Sequence, residues 1–256
     1  MLLRASQMLL ALFVFLLVWQ VAYAAGLYQT VIVPPPTAIL AAVGEMYASG
    51  ELVRDILASL QRAAVGFLTG SCAGVLIGVF TGRVRLIDAT LGQLIRLFRS
   101  IPSIALVPVA IVWFGLGETS KYVLVFWGVF FPVWINTHLG ITQVDRTYIW
   151  AAQSLGARRA ALIWEVVLPC AVPFIVAGMR TATAIAFVVL VAAEMAGAFG
   201  GVGYRIYASH LVFRVDKMMA DIFVLGLLGG MADLLFAAVI SAIPWHQERG
   251  GNGSQY

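Results

Sequence analysis

The sequence predicts an all-α integral membrane protein, with residues 1–256 forming a single transmembrane domain of about six membrane-spanning helices. Of the 256 residues, 62% are hydrophobic and 11% are charged, whereas a soluble domain carries about 25% charged residues. Apolar stretches close to the ~20 residues that a helix needs to cross a bilayer recur along the chain. The net charge of +4 is scattered, which suits loops at an anionic lipid surface and argues against a nucleic-acid partner.

Six apolar stretches are predicted to cross the membrane. Before the second of them, residues 50–62 carry apolar side chains at helical spacing and are predicted to be an amphipathic lead-in. The third is interrupted by Pro102 and Pro108, since proline breaks the helical hydrogen-bond ladder. The predicted spans are residues 8–25, 63–81, 101–114, 122–141, 171–197 and 222–243, and a disordered polar tail is predicted at about 246–256.

The first stretch, residues 8–25, has an alternative interpretation. Arg4, the apolar core and the segment Ala22-Tyr23-Ala24 imitate a secretory signal peptide with its cleavage site. Because five further spans follow, the chain needs no export signal, and we expect this stretch to remain as the first span.

The second span contains glycines at every fourth position, namely Gly66, Gly70, Gly74 and Gly78. This spacing places them on one helical face, where the absence of side chains lets a second helix approach closely in lipid. The pattern therefore predicts a tight helix–helix contact along this span.

The orientation follows from the arginines of the loops. With both termini inside, the inner segments hold more Lys and Arg than the outer ones, and Arg96, Arg99, Arg158 and Arg159 fall on the inner side. Cytoplasmic loops carry the excess of positive charge. We therefore predict cytoplasmic termini and a cytoplasmic loop at about 145–169.

That loop contains a polar, helix-forming segment between two apolar spans, which reads WAAQSLGARRAALIWEVVLP from Trp150 to Pro169. Ala152 and Gly156 are four residues apart and share one helical face. Small residues there allow another backbone to come close. The pair Leu168-Pro169 is predicted to end this helical piece and to fix the entry into the fifth span.

The spacing of these residues resembles the EAA loop in permease subunits of ATP-binding-cassette importers. The family's glutamate is replaced by Trp150. The resemblance implies a cytoplasmic coupling helix between spans four and five that docks on the ATPase subunit. The residues implied in coupling are Ala151, Ala152, Leu155, Gly156, Leu168 and Pro169.

Four further runs resemble the nitrate, sulfonate and taurine branch of these permeases, namely VPPPTAIL, SLQRAAVGF, RSIPSIALVPVAIVWFGLGETSK and VVLVAAEMAGA. The resemblance implies a subunit of the bacterial inner membrane that pairs with a second copy, two ATPase subunits and an extracytoplasmic solute-binding protein. It also implies import of a small, mostly anionic solute. Bicarbonate, cyanate or a pyrimidine precursor is an alternative solute, and a membrane scaffold or sensor without transport is an alternative of another class.

The chain is predicted not to be an enzyme and to bind no cofactor or metal of its own. Lys121 and Lys217 are its only lysines, and neither stands in the GxxxxGK[ST] loop that cradles ATP phosphates. No GxSxG is present, and the three histidines are widely separated. The ATP that drives import is therefore predicted to be bound by the partner ATPase.

Charged residues inside the predicted spans need a reason, because a charge at the bilayer centre costs about 2.5–3.5 kcal/mol or more. Arg180 is the only deeply placed cation in this prediction, and Glu194 follows fourteen residues later, within about 40° of the same helical face. We expect a stripe facing the bundle interior or the translocation path. Two roles stay open, a brace between helices or a lining of the path, and Asp233 is predicted to pack against a nearby donor.

Overall fold

The computed structural model describes residues 2–28 and 32–241, and within these ranges the regular structure is entirely helical, with no strand. The prediction of an all-α membrane protein is confirmed. The helices are α1 Leu2–Ala24, α2 Pro36–Ala48, α3 Glu51–Arg83, α4 Arg85–Phe98, α5 Ser103–Phe114, α6 Glu118–Thr142, α7 Arg146–Ser154, α8 Leu162–Gly197, α9 Val202–Leu211 and α10 Val215–Ser241.

Among the described residues, four helices are long and apolar enough to cross a membrane, namely α3, α6, α8 and α10. The bent pair α4–α5 counts as a fifth span if it is taken as one unit. The apolar part of α1 found in the described chain is Phe13–Ala24, which is shorter than the ~20 residues of a full span. The count of six spans stays a prediction, and the predicted tail lies outside the described residues.

Helices α3 and α6 pack along their glycines. A Cβ atom built on Gly66 would lie 2.5 Å from Val125, and one built on Gly82 would lie 2.8 Å from Ile141. Such distances are far below van der Waals contact, so only glycine permits this approach. The contacting positions advance toward the C-terminus of both helices, from Gly66 with Val125 to Gly82 with Ile141, so α3 and α6 are parallel.

The parallel arrangement requires a return between α3 and α6, and α4–α5 provides it. The two halves meet at an angle of 83°, where Pro102 takes an extended conformation with φ −60° and ψ 127°. Proline has no N–H to continue the ladder of α4, and the chain turns there. The third span thus begins at Arg85 and is broken at its middle, which corrects the predicted boundaries of 101–114.

The position of Arg99 at this break corrects its predicted place in an inner loop. The neighbouring Phe98 ring packs edge-on against Trp127, with 6.1 Å between ring centroids. Trp127 lies well inside α6, nine residues from its first residue. The prediction that Arg180 is the only deeply placed cation is therefore wrong.

Helix α8 runs antiparallel to α6, since Gly140 meets Phe174 and Gly128 meets Val189. Its N-terminal segment corrects another expectation, because Pro169 does not end a helical piece. The chain is helical from Arg159 to Gly197, with a π-helical segment at Leu162–Val167 just before Leu168-Pro169. A π segment changes the hydrogen-bond register, and here it precedes the position where proline cannot donate.

The bundle has two ends, which we name by their short helices. The α7 end is where α6 stops and α8 starts, and the α9 end is where α3 and α6 start and α8 stops. The core between α3, α6 and α8 is apolar, with Val125, Val129 and Leu190 fully buried.

Candidate functional site

The α7 helix is closed at both termini by local hydrogen bonds. At its start, the Oδ1 atom of Asp145 accepts from the backbone N–H of Thr147 at 2.8 Å. This hydrogen bond lowers the pKa of the Asp145 carboxyl, so the cap is charged at neutral pH. An anionic cap at an N-terminus satisfies a free N–H and favours the helix dipole.

Gly156 closes the C-terminus of α7 in a left-handed conformation, with φ +85°. Its N–H donates to the carbonyl of Gln153 at 2.9 Å, and the N–H of Ala157 donates to Ala152 at 3.0 Å. These two bonds form a Schellman motif, in which glycine is preferred because it has no Cβ. The space around a Cβ at Gly156 is open within 4 Å, so in this chain the backbone conformation requires the glycine.

The predicted coupling residues in and just after α7 are mostly exposed. Leu155 is 90% exposed, and the neighbouring Trp150, which stands where the family has a glutamate, is 61% exposed. Ala151 and Gly156 are also exposed, while Ala152 is half-buried. The two remaining predicted residues, Leu168 and Pro169, stand apart on α8, just beyond the π segment that contacts α7.

At the α9 end, the carboxylate of Glu194 is buried within a network of donors. It accepts from Nη1 of Arg62 at 2.7 Å and from the hydroxyl of Ser59 at 2.8 Å. The backbone N–H of Gly203 donates to it at 2.9 Å. The Glu194 side chain is 0% exposed, and burial of this charge is tolerated because a cation and several donors face it.

Arg62 links Glu194 to a second carboxylate. Its Nε and Nη2 atoms donate to Glu118 at 2.6 and 2.8 Å, and Nη1 also donates to the carbonyl of Gly200 at 2.6 Å. The planar guanidinium holds Glu118 with two parallel bonds while its third nitrogen reaches Glu194, a geometry that the ammonium of lysine does not offer. Helices α3, α6 and α8 are thereby joined at one end of the bundle.

The same network holds the turn that leads from α8 to α9. The N–H of Gly201 donates to Asp55 at 2.9 Å, and the N–H of Val202 donates to Ser59 at 2.9 Å. Gly201 has φ +113°, and a Cβ atom there would lie 2.4 Å from the carboxylate of Glu194. Only glycine fits this position, on both counts.

Two further cations complete the α9 end. Arg205 of α9 pairs with Asp55 and with Glu51, both on α3. The ammonium of Lys121 donates to the carbonyls of Gly117 at 2.9 Å and Gly197 at 2.5 Å, at the start of α6 and the end of α8. The turn is therefore fixed from three helices.

The partners of Glu194 lie in the runs that resemble the nitrate, sulfonate and taurine permeases. Ser59 and Arg62 stand in the run SLQRAAVGF, Glu118 stands in WFGLGE, and Glu194 stands in VAAEM. All three runs are among those quoted for the resemblance, and the structure brings them together.

Arg180 does not meet Glu194. It forms a two-pronged pair with Asp233 of α10, at 2.9 Å for each of the two contacts. Its side chain is 59% exposed, at the edge of an open cleft of about 550 Å³ between α8 and α10. Arg180 and Glu194 therefore do not form one continuous charged stripe. Arg180 is exposed and pairs with Asp233, whereas Glu194 is fully buried and pairs with Arg62.

Comparisons with known proteins agree with these features. A family model described as "Binding-protein-dependent transport system inner membrane component" matches residues 73–244. The putative aliphatic sulfonates transport permease protein of Bacillus subtilis (strain 168) is 36% identical over 220 residues, which cover 86% of this chain and 80% of that protein. The taurine transport system permease protein of Escherichia coli (strain K12) is 32% identical over 241 residues, covering 92% and 88%.

The fold is also found in a solved structure. A chain of the inward-facing MetNI methionine ABC transporter superposes with a TM-score of 0.62, covering 75% of this chain and 95% of that chain, at 22% sequence identity.

Proposed function

The chain belongs to the family of inner membrane components of binding-protein-dependent transport systems, and we propose that, as the permease subunit of an ATP-binding-cassette importer, it forms the translocation path for a small oxyanion. The chain is a multi-pass membrane component and not an enzyme. In the proposal, ATP is bound and hydrolysed by partner ATPase subunits, and a second copy of the chain completes the path.

The exposed α7 helix is the observation that carries the proposal. It lies at one end of the bundle, outside the helices long enough to cross a membrane, and it packs against the first turns of α8. Movement of α7 by an ATPase subunit would thus be transmitted to α8 directly. Closure of the ATPase pair on ATP would draw the two α7 helices of the dimer together and favour the outward-open state, as ligands shift any two-state equilibrium.

The proposed solute is an alkyl sulfonate or taurine. Two relatives at 36% and 32% identity carry the names of aliphatic sulfonate and taurine transport permeases. Nitrate belongs to the same class of small oxyanions. In the proposal, an extracytoplasmic solute-binding protein delivers the solute to the α9 end of the bundle, and both chain termini lie in the cytoplasm.

The function is tested by the ATPase activity of the complex in proteoliposomes, with its own ATPase and solute-binding protein. We expect taurine or a short alkyl sulfonate to stimulate the ATPase rate and to be taken up. If only bicarbonate, cyanate or a pyrimidine precursor stimulated the ATPase rate, that compound would be the solute instead of a sulfonate. A complex that no solute stimulates would instead indicate a scaffold or sensor.

A further inference from the structure

The break between α4 and α5 opens a cleft on the surface of the chain. The cleft has a volume of about 390 Å³, and its lining includes the polar residues Arg99, Ser103, Asn136 and Thr181. Its apolar wall includes Phe131 and Ile185. Within the described part of the chain, no acidic residue lines it.

This cleft lies midway between the two ends of the bundle. Its lining on α6 runs from Gly128 to Asn136, which are ten and eighteen residues from the first residue of a 25-residue helix. At ~1.5 Å per residue, this places the cleft about 15–27 Å along a helix about 37 Å long. Arg99 therefore enters the cleft at the depth of the hydrocarbon core.

Arg99 differs from Arg62 and Arg180 in its partners. Arg180 pairs with Asp233, and Arg62, at the α9 end, pairs with two carboxylates. Arg99, by contrast, makes no ion pair within residues 2–28 and 32–241, and its side chain is exposed. An exposed, unpaired guanidinium is costly against lipid tails. The face that carries the cleft is therefore better suited to a water-filled path than to the lipid phase.

The other polar groups offer donors beside this charge. One N–H of the Asn136 amide donates to the carbonyl of Pro132 at 2.8 Å, and within the described residues its second N–H is free to donate to a solute. The Ser103 hydroxyl lies beside Gly128, 3.6 Å from the position of a Cβ atom built there. A guanidinium with amide and hydroxyl donors suits an oxyanion, since charge-assisted hydrogen bonds are the strong ones.

We propose that this mid-membrane cleft is a passage site for the oxyanion group of the solute, with Arg99 as its charge and Ser103 and Asn136 as its neutral donors. The apolar wall would accept a short alkyl chain, as in a sulfonate. This inference rests on the proposed function, because it assigns the solute's charged group to a place along the path. In this inference Arg99, rather than Arg180, is the cation that meets the solute, because the charge of Arg180 is already offset by Asp233.

The test uses the complete complex, with Ser103→Cys as a reporter in a background where Cys72 and Cys170 are replaced by alanine. The probes are two methanethiosulfonate reagents of similar size, the anionic sulfonatoethyl and the cationic trimethylammonioethyl compound. We expect the anionic reagent to react about tenfold faster or more, because a focused positive field raises the local concentration of anions. Adding Arg99→Gln should bring the ratio of the two rates close to one.

Arg85→Gln is the matched control, since it removes the same charge at the other end of α4, outside the cleft, and it should leave the rate ratio unchanged. Equal rates for the two reagents in the Ser103→Cys complex would overturn the proposal, and so would the absence of labelling by both. The outcome is separable from the proposed function. A complex that shows the anion preference but no solute-stimulated ATPase activity would retain the passage site and refute sulfonate import.

Discussion

At the scale of single residues, the bundle depends on a few charges whose partners come from distant parts of the sequence. Arg62 and Glu194 are 132 positions apart, and their side chains meet at 2.7 Å. Helical periodicity places each residue on a face of its own helix but cannot say which helix faces it. Glu194 was therefore found from the sequence as an embedded charge, whereas its partners emerge only from the fold.

Replacement of Arg62 by alanine should destabilise the chain strongly. Glu194 and Glu118 would lose their common cation, and breaking a buried ion pair on one side costs about 3–5 kcal/mol. We expect a clearly lower unfolding temperature of the detergent-solubilised subunit. Arg54→Ala is the control, because Arg54 is exposed on the same helix and makes no ion pair within the described residues. Equal unfolding temperatures for the two variants would refute the structural role of Arg62.

The pair of Arg180 and Asp233 is expected to act chiefly as a brace between α8 and α10. Its two parallel contacts need the planar guanidinium, so Arg180→Lys should lower the amount of assembled complex. The charge-swapped variant, Arg180→Asp with Asp233→Arg, should recover part of it. Both are measured as the yield of complex on size exclusion.

Measurements of transport distinguish a role of Arg180 as a helix brace from a role in the translocation path. Arg180→Gln should reduce uptake mainly through its lower assembly, so that uptake per assembled complex stays close to that of the native protein. A large loss of uptake per complex would show that Arg180 acts on the passing solute, and normal assembly of both the Lys and Gln variants would exclude the brace.

At the scale of elements, the sequence predicted a helix within the 145–169 loop but not its bounds, because Gly156, expected on a helical face, lies beyond the end of α7 in a left-handed conformation. The start of the third span was also misplaced. The polar character of 145–169 between two apolar spans and its small residues are local signals, and the structure has a helix at Arg146–Ser154 within that loop. Hydropathy records how apolar a stretch is but not the angle between its halves. For that reason the 83° break at 99–102, and with it the depth of Arg99, could not be read from the chain.

The role of Gly156 can be separated into a backbone part and a docking part. A left-handed conformation costs a residue with a Cβ about 1–2 kcal/mol, while asparagine adopts it more readily. If the closure of α7 alone matters, Gly156→Asn should keep ATPase binding while Gly156→Ala weakens it. If the ATPase surface also comes close to this backbone, Asn and Phe should both abolish binding.

We expect the second result for Gly156, because the predicted coupling surface around it is exposed. The measurement is co-purification of the ATPase subunit with each variant, and a Ser154→Ala variant is the control for substitution near the end of α7. Normal co-purification and transport by the Phe variant would remove Gly156 from the coupling surface.

At the scale of the whole molecule, the parallel packing of α3 and α6 determines the topology. The glycine spacing of α3 predicts a close helix contact, but it does not identify the partner or its direction. The register from Gly66 with Val125 to Gly82 with Ile141 provides both. Because these two helices run the same way, α4–α5 has to carry the chain back between them, and the polar segments before α3 and after α6 lie at opposite ends.

Cysteine labelling of intact cells should place these two segments on opposite sides of the membrane. Ser49, before α3, and Ser154, in α7, are both exposed, and three passages of the chain separate them. Ser209, which lies between spans in the sequence, is unsuitable as a reporter because it is 5% exposed. With Cys72 and Cys170 replaced, a membrane-impermeant maleimide should label Ser49→Cys in intact cells and Ser154→Cys only after the membrane is opened.

Each outcome of the labelling has a distinct structural meaning. Labelling of both positions in intact cells would mean that α4–α5 is re-entrant and that α3 and α6 are not parallel, against the glycine register. Labelling of Ser154→Cys alone would keep the fold but invert it, and α7 would then lie on the side where no ATPase can reach it. The expected pattern places α7 in the cytoplasm, as docking on an ATPase requires, and the α9 end on the side where a solute-binding protein delivers its cargo.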